Sequence, residues 1–440
     1  MNAKKKKVLF VLGGGAAALV LAVVIFALTF NINSYKPSIE AAASGATGLD
    51  VRINGKMRVS FFTFGVSAKD IHVANKGGEI LSLDNLKVGV ELMPLLKKQL
   101  KVTSCELVKP VVTIVKDSEG KYNFEGTEKK STEERPGAAF SLNEFKLSNG
   151  VLVYLNKKTG EKTEFKDFNL AIKDLSIAGD VIKNASFTGS FDCKEVRKGD
   201  LKIDNVKSPI KAEKGVIYLM SLTMDIFGAK AEGDVTADKS AVDAVYKINL
   251  KISKLDFEKL QESFGTKKVI GGKGDLHASL TMKEKGSRKL MSSMDGTFSL
   301  RGDNLVLYTM DLDTVLSKYE TSQKFNLVDL GAFFIAGPLG TVALKGYRYG
   351  DVYHQTQGGQ GTITQFISQW KIRDGVADAT DCALATRHNR VALKGKLNLV
   401  SERYDNVIVA LLDDKGCTKF KQSISGSFGS PKVGAVSAVG

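Results

Sequence analysis

The chain has 440 residues, of which 43% are apolar, with 43 glycines and 7 prolines. This length predicts two to four domains or one extended array, and the apolar content excludes global disorder. Abundant glycine with little proline favours short strands over helices. The net charge of +15 is compatible with nucleic acid or an anionic membrane surface. We favour the simpler interpretation that these charges lie on a solvated outer face, since they are spread along the chain. Nucleic-acid binding is not expected, because no nucleic-acid-binding motif is present.

An uncharged apolar run, Val8–Phe30, follows the lysines Lys4–Lys7. As a helix it would rise about 35 Å, enough to cross a hydrocarbon core of about 30 Å. The lysines should stay in the cytoplasm and send the body outward. A cleaved signal peptide is the rival interpretation, but such peptides have apolar cores of roughly 7–15 residues and a small-residue cleavage site, which Thr29–Ile32 lacks. The predicted anchor includes Val8, Leu12, Leu19, Val23, Phe26 and Phe30.

A short helix is predicted at Pro37–Ala46, because Pro37 suits a first turn and Gly45 or Gly48 can end it. Its alanine-rich face could rest near the bilayer surface or cap the first strand. Asn54–Gly55 then predicts a type I′ hairpin turn between two alternating segments. Further along we predict strands at Leu86–Leu92, Leu100–Leu107 and Val111–Val115, and helices at Pro94–Leu96, Leu255–Phe264 and Asp311–Tyr319. Glu125–Gly137 is predicted to be a loop or domain boundary, and no element is assigned to the apolar segment Phe333–Gly340. The tail, Gly429–Gly440, is predicted to be disordered or to make a last contact with a partner.

The strongest signal is strict alternation of apolar and polar residues in three segments between Val216 and Met282. Successive side chains of a strand point to opposite faces, so each segment has one apolar face. Weaker copies recur along most of the chain, which predicts a one-sided sheet whose apolar face needs a cover. The predicted lining consists of Tyr218, Met220, Leu222, Met224 and Ile226, then Tyr246, Ile248, Leu250 and Ile252, then Leu276, Ala278, Leu280 and Met282.

Short motifs stand in a fixed order after the anchor and again near the other end. They are Tyr35–Pro37 with Ile39–Ala41, Ala46–Gly48, Leu92–Leu96 after a strand, Pro110–Val112 leading into Asp117–Gly120 and Asn123, and later Trp370–Val376 and Val391–Leu397. This order resembles the AsmA family at both ends of the chain, while the middle matches in pattern only.

The resemblance implies an inner-membrane protein of Gram-negative type, single-pass, with a cytoplasmic N-terminus and a periplasmic body. It implies a mainly β fold, namely an elongated, twisted antiparallel trough with a chorein-like start and a few short helices. Such proteins are thought to conduct phospholipid toward the outer membrane or to influence its assembly. The C-terminal end could meet the outer membrane or a protein there. We divide the chain into lysines and anchor (1–30), an AsmA-like N-terminal region (31–135), β-rich groove repeats (136–295) and an AsmA-like C-terminal region (296–440).

Chemical motifs are scarce, since the sequence has no Walker loop, HExxH or nucleophile elbow. The histidines are isolated, and His277 is predicted to face solvent. The cysteines have no CxxC spacing, so no zinc site is expected. Cys382 and Cys417 lie on neighbouring predicted strands and could pair, whereas Cys105 and Cys193 are expected to be buried thiols. We predict no catalytic, cofactor or metal residues and no enzyme.

Two function classes remain open. One is lipid transfer along the apolar face, and the other is a periplasmic scaffold that holds partners by its sheet edges or its C-terminal region and carries no lipid. The apolar faces could also pack on each other as an ordinary β-sandwich core. A face that stays open favours lipid, whereas a closed and filled interior favours the scaffold.

Overall fold

The computed structural model describes residues 31–60, 65–75, 78–91, 101–124, 140–177, 184–263, 268, 270–284, 290–308, 311–314, 359–413 and 415–438. The predictions for Val8–Phe30, Pro94–Leu96, Glu125–Gly137 and Phe333–Gly340 fall outside these residues. Within the described part, the protein is mainly β with few helices, and none of these helices is long and apolar enough to cross a membrane.

The chain folds into two compact units. Unit 1 contains the described residues up to 124 together with residues 141–162 and 167–174. Its elements are the 3-10 turn η1 (Ile32–Tyr35), the helix α1 (Lys36–Thr47), and the strands β1 (Asp50–Ile53), β2 (Met57–Ser60), β3 (Gly65–Asn75), β4 (Gly78–Val90), β5 (Val102–Val108), β6 (Val111–Lys116) and most of β7 (Phe140–Asn156). The helix predicted at Pro37–Ala46 is confirmed, and Gly48 ends it with a φ of 72°.

The hairpin predicted at Asn54–Gly55 is wrong. β1 and β2 are consecutive parts of one edge strand, and both pair antiparallel with β3. Asn54 and Gly55 donate their backbone N–H groups to the carbonyls of Asp70 and Lys69, at 2.8 and 3.0 Å. A Cβ atom at Gly55 would lie 2.5 Å from the Lys69 carbonyl oxygen. Glycine is therefore required here for close backbone approach within a bulge, and not for a turn.

The strands β5 and β6 are likewise two halves of one strand, interrupted at Lys109 and Pro110. Both halves pair antiparallel with β4, and both pair in parallel with β7. The sheet is antiparallel, as predicted, except at β7. A parallel neighbour needs a long connection, which the residues between Lys116 and Phe140 supply.

Unit 2 holds most of the chain from Leu175 onward, and β8 (Glu161–Ile177) contributes residues to both units. Its elements are β9 (Ser186–Lys198), β10 (Leu201–Glu213), β11 (Val216–Ile226), β12 (Ala229–Asp238), β13 (Val245–Asp256), α2 (Phe257–Glu262), β14 (Ile270–Gly271), β15 (Lys273–Lys283), the 3-10 turn η2 (Leu290–Ser293), β16 (Asp295–Leu307), β17 (Gly361–Arg373), β18 (Val376–Ala385), β19 (Arg390–Asn398), β20 (Arg403–Leu412), β21 (Thr418–Ser427), β22 (Ser430–Val433) and β23 (Ser437–Ala438).

The strands of unit 2 pair antiparallel in chain order. Each strand from β9 to β13 pairs with the next, then β13 with β15, and each strand from β15 to β21 with the next. The three alternating segments of the sequence are β11, β13 and β15, so their prediction as strands is confirmed. β22 and β23 pair with β21, so a disordered tail is the wrong alternative for residues 430–438.

Left-handed residues interrupt many strands, and a side chain of the next strand holds them in place. Ser221 in β11 has a φ of 52° and Lys254 in β13 a φ of 57°. The Asp234 carboxylate accepts the Ser221 N–H at 2.9 Å, and the Asp275 carboxylate accepts the Lys254 N–H at 2.9 Å. Such bulges bend a strand and increase its twist, and the acceptors keep their N–H groups hydrogen-bonded.

The helix predicted at Leu255–Phe264 is observed as α2. It begins after Asp256, whose carboxylate accepts hydrogen bonds from the N–H groups of Glu258 and Lys259 at 2.8 and 3.2 Å, as an N-cap residue does. Phe257 and Leu260 are buried beneath it. The helix predicted at Asp311–Tyr319 is helical over residues 312–314, where the description of that segment ends.

Candidate functional site

One face of unit 2 is continuously apolar, and the strand register defines it. Residues directly opposite each other on neighbouring strands share a face of the sheet. Three consecutive rows across the strands define what we call the apolar face. They are Leu219–Val235–Ile248–Leu280–Gly296–Ile372, Leu222–Gly233–Leu250–Ala278–Phe298–Trp370 and Met224–Ala231–Ile252–Leu276–Leu300–Ser368.

The predicted lining residues fall on this face with two exceptions. The residues named on β13 and β15 and the C-terminal half of β11 are there, from Leu222 to Ile226. Tyr218 and Met220 were assigned to the wrong face. Tyr218 pairs with Thr236, which pairs with Lys247 on the polar side, and Met220 is 45% exposed.

The cause of this error is the bulge in β11. The register of β11 against β12 shifts between Leu219 and Leu222, around the left-handed Ser221. An extra residue reverses the alternation of every side chain before it. Ile217 and Leu219 therefore lie on the apolar face in place of Tyr218 and Met220. No residue type in Val216–Ile226 distinguishes this bulge from an unbroken strand.

The apolar face is closed at its C-terminal strands. Residues of β16–β21 on this face are fully buried and form one cluster; Leu300, Ile363, Val391, Val407, Val409 and Leu411 each have 0% of their surface exposed. Side chains buried to this extent contact each other on all sides. This part of the face is therefore used by the protein's own core.

The helix α2 contributes to this closure. Phe257 packs over Gly274 of β15 and Gly302 of β16, where a Cβ atom would lie 2.7 and 3.2 Å from its ring carbon Cε2. The same ring meets Phe366 of β17 edge to face, with 6.4 Å between centroids. The two glycines leave the space that the ring fills. Sequence reasoning found the helix but missed that it covers the apolar face.

The same face is less buried at β11–β13. Leu219, Val235 and Ile248 are only half-buried, and none of them belongs to the buried cluster or to the residues packed against it. Leu250 and Leu280 are intermediate, since they are half-buried but contact the cluster. The face thus changes from a filled core to a partly exposed apolar surface along the order of the strands.

Unit 1 has a smaller face of the same kind. Ile53, Met57 and Leu83 belong to its buried cluster. Beside this cluster, the row Val66–Val88–Cys105–Phe145 crosses β3, β4, β5 and β7, and its members are half-buried. Burial raises the pKa of the Cys105 thiol. This row was not predicted from the sequence, although apolar residues alternate with polar ones in part of Val66–Val73.

The opposite, polar face of unit 2 carries a shallow cavity of about 390 Å³ across β12, β13, β15 and β16. Two rows line it, Glu232–Lys251–His277–Ser299 and Asp234–Asn249–Ser279–Thr297. The Ser279 hydroxyl donates to the Asn249 side-chain oxygen at 2.7 Å. His277 is exposed here, as predicted. Within the described ranges no cluster of three metal-ligating side chains occurs.

The disulfide that the sequence left open between Cys382 and Cys417 is not formed. Cys382 and Cys417 are both free thiols. Cys382 is 4% exposed within the core cluster, and its Sγ donates to the Gln369 carbonyl at 3.4 Å. Cys417 is exposed in the turn before β21, where its N–H donates to the Asp413 carboxylate at 2.7 Å. The two cysteines are not on neighbouring strands, since β19 and β20 lie between β18 and β21. One side chain also points into the core, whereas the other is exposed.

The described geometry defines a mainly β protein with a one-sided apolar face that its own core fills only in part. The sequence model of the AsmA family matches residues 4–198 and again residues 190–382, so the chain belongs to the AsmA family. The match includes the middle of the chain, which we had expected to agree in pattern only, and it ends before Val391–Leu397. Comparisons with curated proteins and with solved structures gave no match.

Proposed function

We propose that this AsmA-family protein binds phospholipid acyl chains on the half-buried part of the apolar face. We further propose that it carries them from the inner toward the outer membrane and thereby supports outer-membrane biogenesis. The observation that carries the proposal is the change in burial along one face, from a closed core at β16–β21 to the half-buried residues Leu219, Val235 and Ile248. Membership of the AsmA family supports it.

The physical need is to keep acyl chains out of water. Each exposed CH₂ group costs about 0.8 kcal/mol, so a free phospholipid crosses an aqueous gap slowly. An apolar face removes most of this cost, while the headgroup stays in solvent at its margin. Met224 and Met282 suit such a surface, because the flexible thioether side chain adapts to irregular partners. Backbone ladders satisfy the polar groups beneath.

The proposed membrane arrangement places the anchor Val8–Phe30 in the inner membrane, with Lys4–Lys7 in the cytoplasm and the body in the periplasm. The C-terminal end would then be available to the outer membrane or to a protein there. We propose that the protein is not an enzyme. We also propose that transfer is passive, with direction set by other components or by gradients, because the sequence contains no nucleotide-binding motif that would supply energy.

A scaffold that holds partners by its sheet edges needs accessible edges, since an open edge invites strand addition. In unit 1, backbone N–H groups of the edge strand β1–β2 donate to side chains of α1 and η1, as described below. In unit 2, the edge after β21 consists of two short strands, β22 and β23, of which β22 contains Pro431. Short strands and proline are the devices that block strand addition. These edges therefore favour the lipid proposal over a scaffold that binds its partners by strand addition.

The decisive experiment uses two adjacent residues of β13 that point to opposite faces. Ile248 is half-buried on the apolar face, and Lys247 is exposed on the polar face between Thr236 and Thr281. Ile248→Glu places a carboxylate where acyl chains are proposed to lie, and Lys247→Glu is its matched control. Lipid extracted from each purified, folded variant is measured by mass spectrometry.

We expect Ile248→Glu to lose most of the phospholipid that co-purifies with the parent protein, and Lys247→Glu to retain it. Circular dichroism and urea unfolding of both variants establish that the fold is preserved. Equal phospholipid in the parent and in a folded Ile248→Glu variant, or no phospholipid in the parent itself, would rule out this face as the binding surface.

A further inference from the structure

Two polar side chains of the helix α1 point toward the protein. The Glu40 carboxylate accepts the backbone N–H of Ile53 at 2.6 Å, and the Ser44 hydroxyl accepts the N–H of Val51 at 2.9 Å. Glu40 and Ser44 are four residues apart and so lie on one face of the helix. That face is held against the outer edge of β1, where a neighbouring strand would otherwise bind.

The turn before α1 extends this contact to β2. The Asn33 side-chain oxygen accepts the N–H of Met57 at 2.8 Å, and its amide nitrogen donates to the Met57 carbonyl at 3.1 Å. A carboxamide that makes both bonds takes the place of a peptide group of a pairing strand. Three side chains therefore fix the rotation of α1 about its own axis.

The outward face of α1 carries an apolar stripe beside the exposed Ser38. Tyr35, just before the helix, is 53% exposed and Ile39 is 38% exposed, and Ala42 is exposed as well. The spacing of four and then three residues places them in one stripe. A surface helix surrounded by water normally has the reverse arrangement, with its apolar stripe toward the protein. This inversion favours an apolar surface outside the chain as the partner of the stripe.

We infer that α1 lies flat in the interface of a lipid bilayer, with Tyr35, Ile39 and Ala42 against lipid and with Glu40 holding the sheet edge. The position of the helix in the chain indicates that the apolar partner is a lipid bilayer. η1 rises only about 8 Å, so α1 begins close to Phe30, where the predicted membrane-spanning run ends. The interfacial zone on each side of the hydrocarbon is several ångströms deep, and tyrosine is enriched there.

This arrangement has a consequence for the whole of unit 1. Because side chains of α1 and η1 are bonded to β1 and β2, a helix fixed in the interface also fixes the direction of the first strands relative to the membrane. The inference rests on the predicted anchor but not on lipid transfer, and a protein without lipid on its apolar face could still have it.

The test places a tryptophan on the stripe of the full chain in phosphatidylcholine vesicles whose acyl chains carry bromine. Ile39→Trp is the test variant. Val242→Trp is the control, because Val242 is 100% exposed in the turn between β12 and β13. The native Trp370 is 3% exposed and gives the same background in both variants. Acrylamide in the aqueous phase reports water access to each new side chain.

We expect the added emission of the Ile39→Trp variant to shift to shorter wavelength, to be quenched by brominated lipid and to be protected from acrylamide. The added emission of the Val242→Trp variant should behave in the opposite way. If the tryptophan introduced in place of Ile39 is quenched by acrylamide and unaffected by bromine, the inference is overturned. Protection from both quenchers would also overturn it, since a protein would then cover the stripe. Ala42→Trp repeats the measurement if Ile39→Trp fails to accumulate.

Discussion

Two valines on the apolar face of unit 2 offer a direct measure of how closed that face is. Val409 of β20 is 0% exposed in the core cluster, whereas Val235 of β12 is half-buried outside it. Replacing valine by alanine at a closed site loses about 1.6 kcal/mol of transfer free energy for two methyl groups. The cavity left behind adds about 1 kcal/mol. Val409→Ala should therefore lower the free energy of unfolding by about 2–3 kcal/mol.

The same substitution at Val235 removes atoms that are already partly in water and leaves no closed cavity, so its cost should be only about 1–1.5 kcal/mol. Equilibrium urea unfolding of the purified, delipidated chain at fixed detergent measures both values. Delipidation matters because bound ligand raises the apparent stability, and unchanged urea dependence would show that the unfolded states are comparable. Equal losses at the two sites would refute the reasoning, because Val235 would then be packed like the core and no surface would remain for an acyl chain.

Three further outcomes are expected. Asp234→Ala should lower the free energy of unfolding by about 0.5–1.5 kcal/mol, because it removes the acceptor of the Ser221 N–H in the β11 bulge. Asp234→Asn keeps an acceptor and should lower it less, so equal losses for the two variants in urea unfolding would contradict this. Cys417 should react with maleimide in the native chain and Cys382 only on unfolding, since burial raises the pKa of the Cys382 thiol to about 12; mass spectrometry after timed labelling would contradict this by finding equal rates. The Arg197 guanidinium, first among the cationic neighbours of Glu195, lowers the pKa of this carboxylate to about 2 from an ordinary 4.5. Its stabilising effect is therefore present above pH 4.5 and lost as the pH falls toward 2. Glu195→Gln should make the free energy of unfolding depend less on pH over that window, and an unchanged pH dependence would contradict the assignment.

Local pattern was enough to identify strands and helix ends. The strands β11, β13 and β15 follow from alternation, because the period of a strand is written directly into the order of its residues. The helix α1 and its end at Gly48 follow from equally local preferences. The motifs near both ends also gave the AsmA family, which the family match confirms.

The register between paired strands could not be predicted from local pattern. Asn54–Gly55 has the composition of a hairpin turn, yet its backbone is needed by β3 across the sheet, so it forms a bulge. The same is true of Ser221, whose left-handed backbone is stabilised by Asp234 on another strand. A bulge held by a distant acceptor leaves no mark in the residues beside it, and it reversed the assignment of Tyr218 and Met220.

The sequence by itself determined that this chain has many strands with one apolar side, because alternation is a property of neighbouring residues. Only the tertiary structure decided which part of that side is filled. Phe257 reaches across Gly274 and Gly302 to close one end, while Val235 and Ile248 have no such cover among the described residues. Burial depends on which residues meet from distant parts of the chain, and that information lies in the register and in the path of the chain.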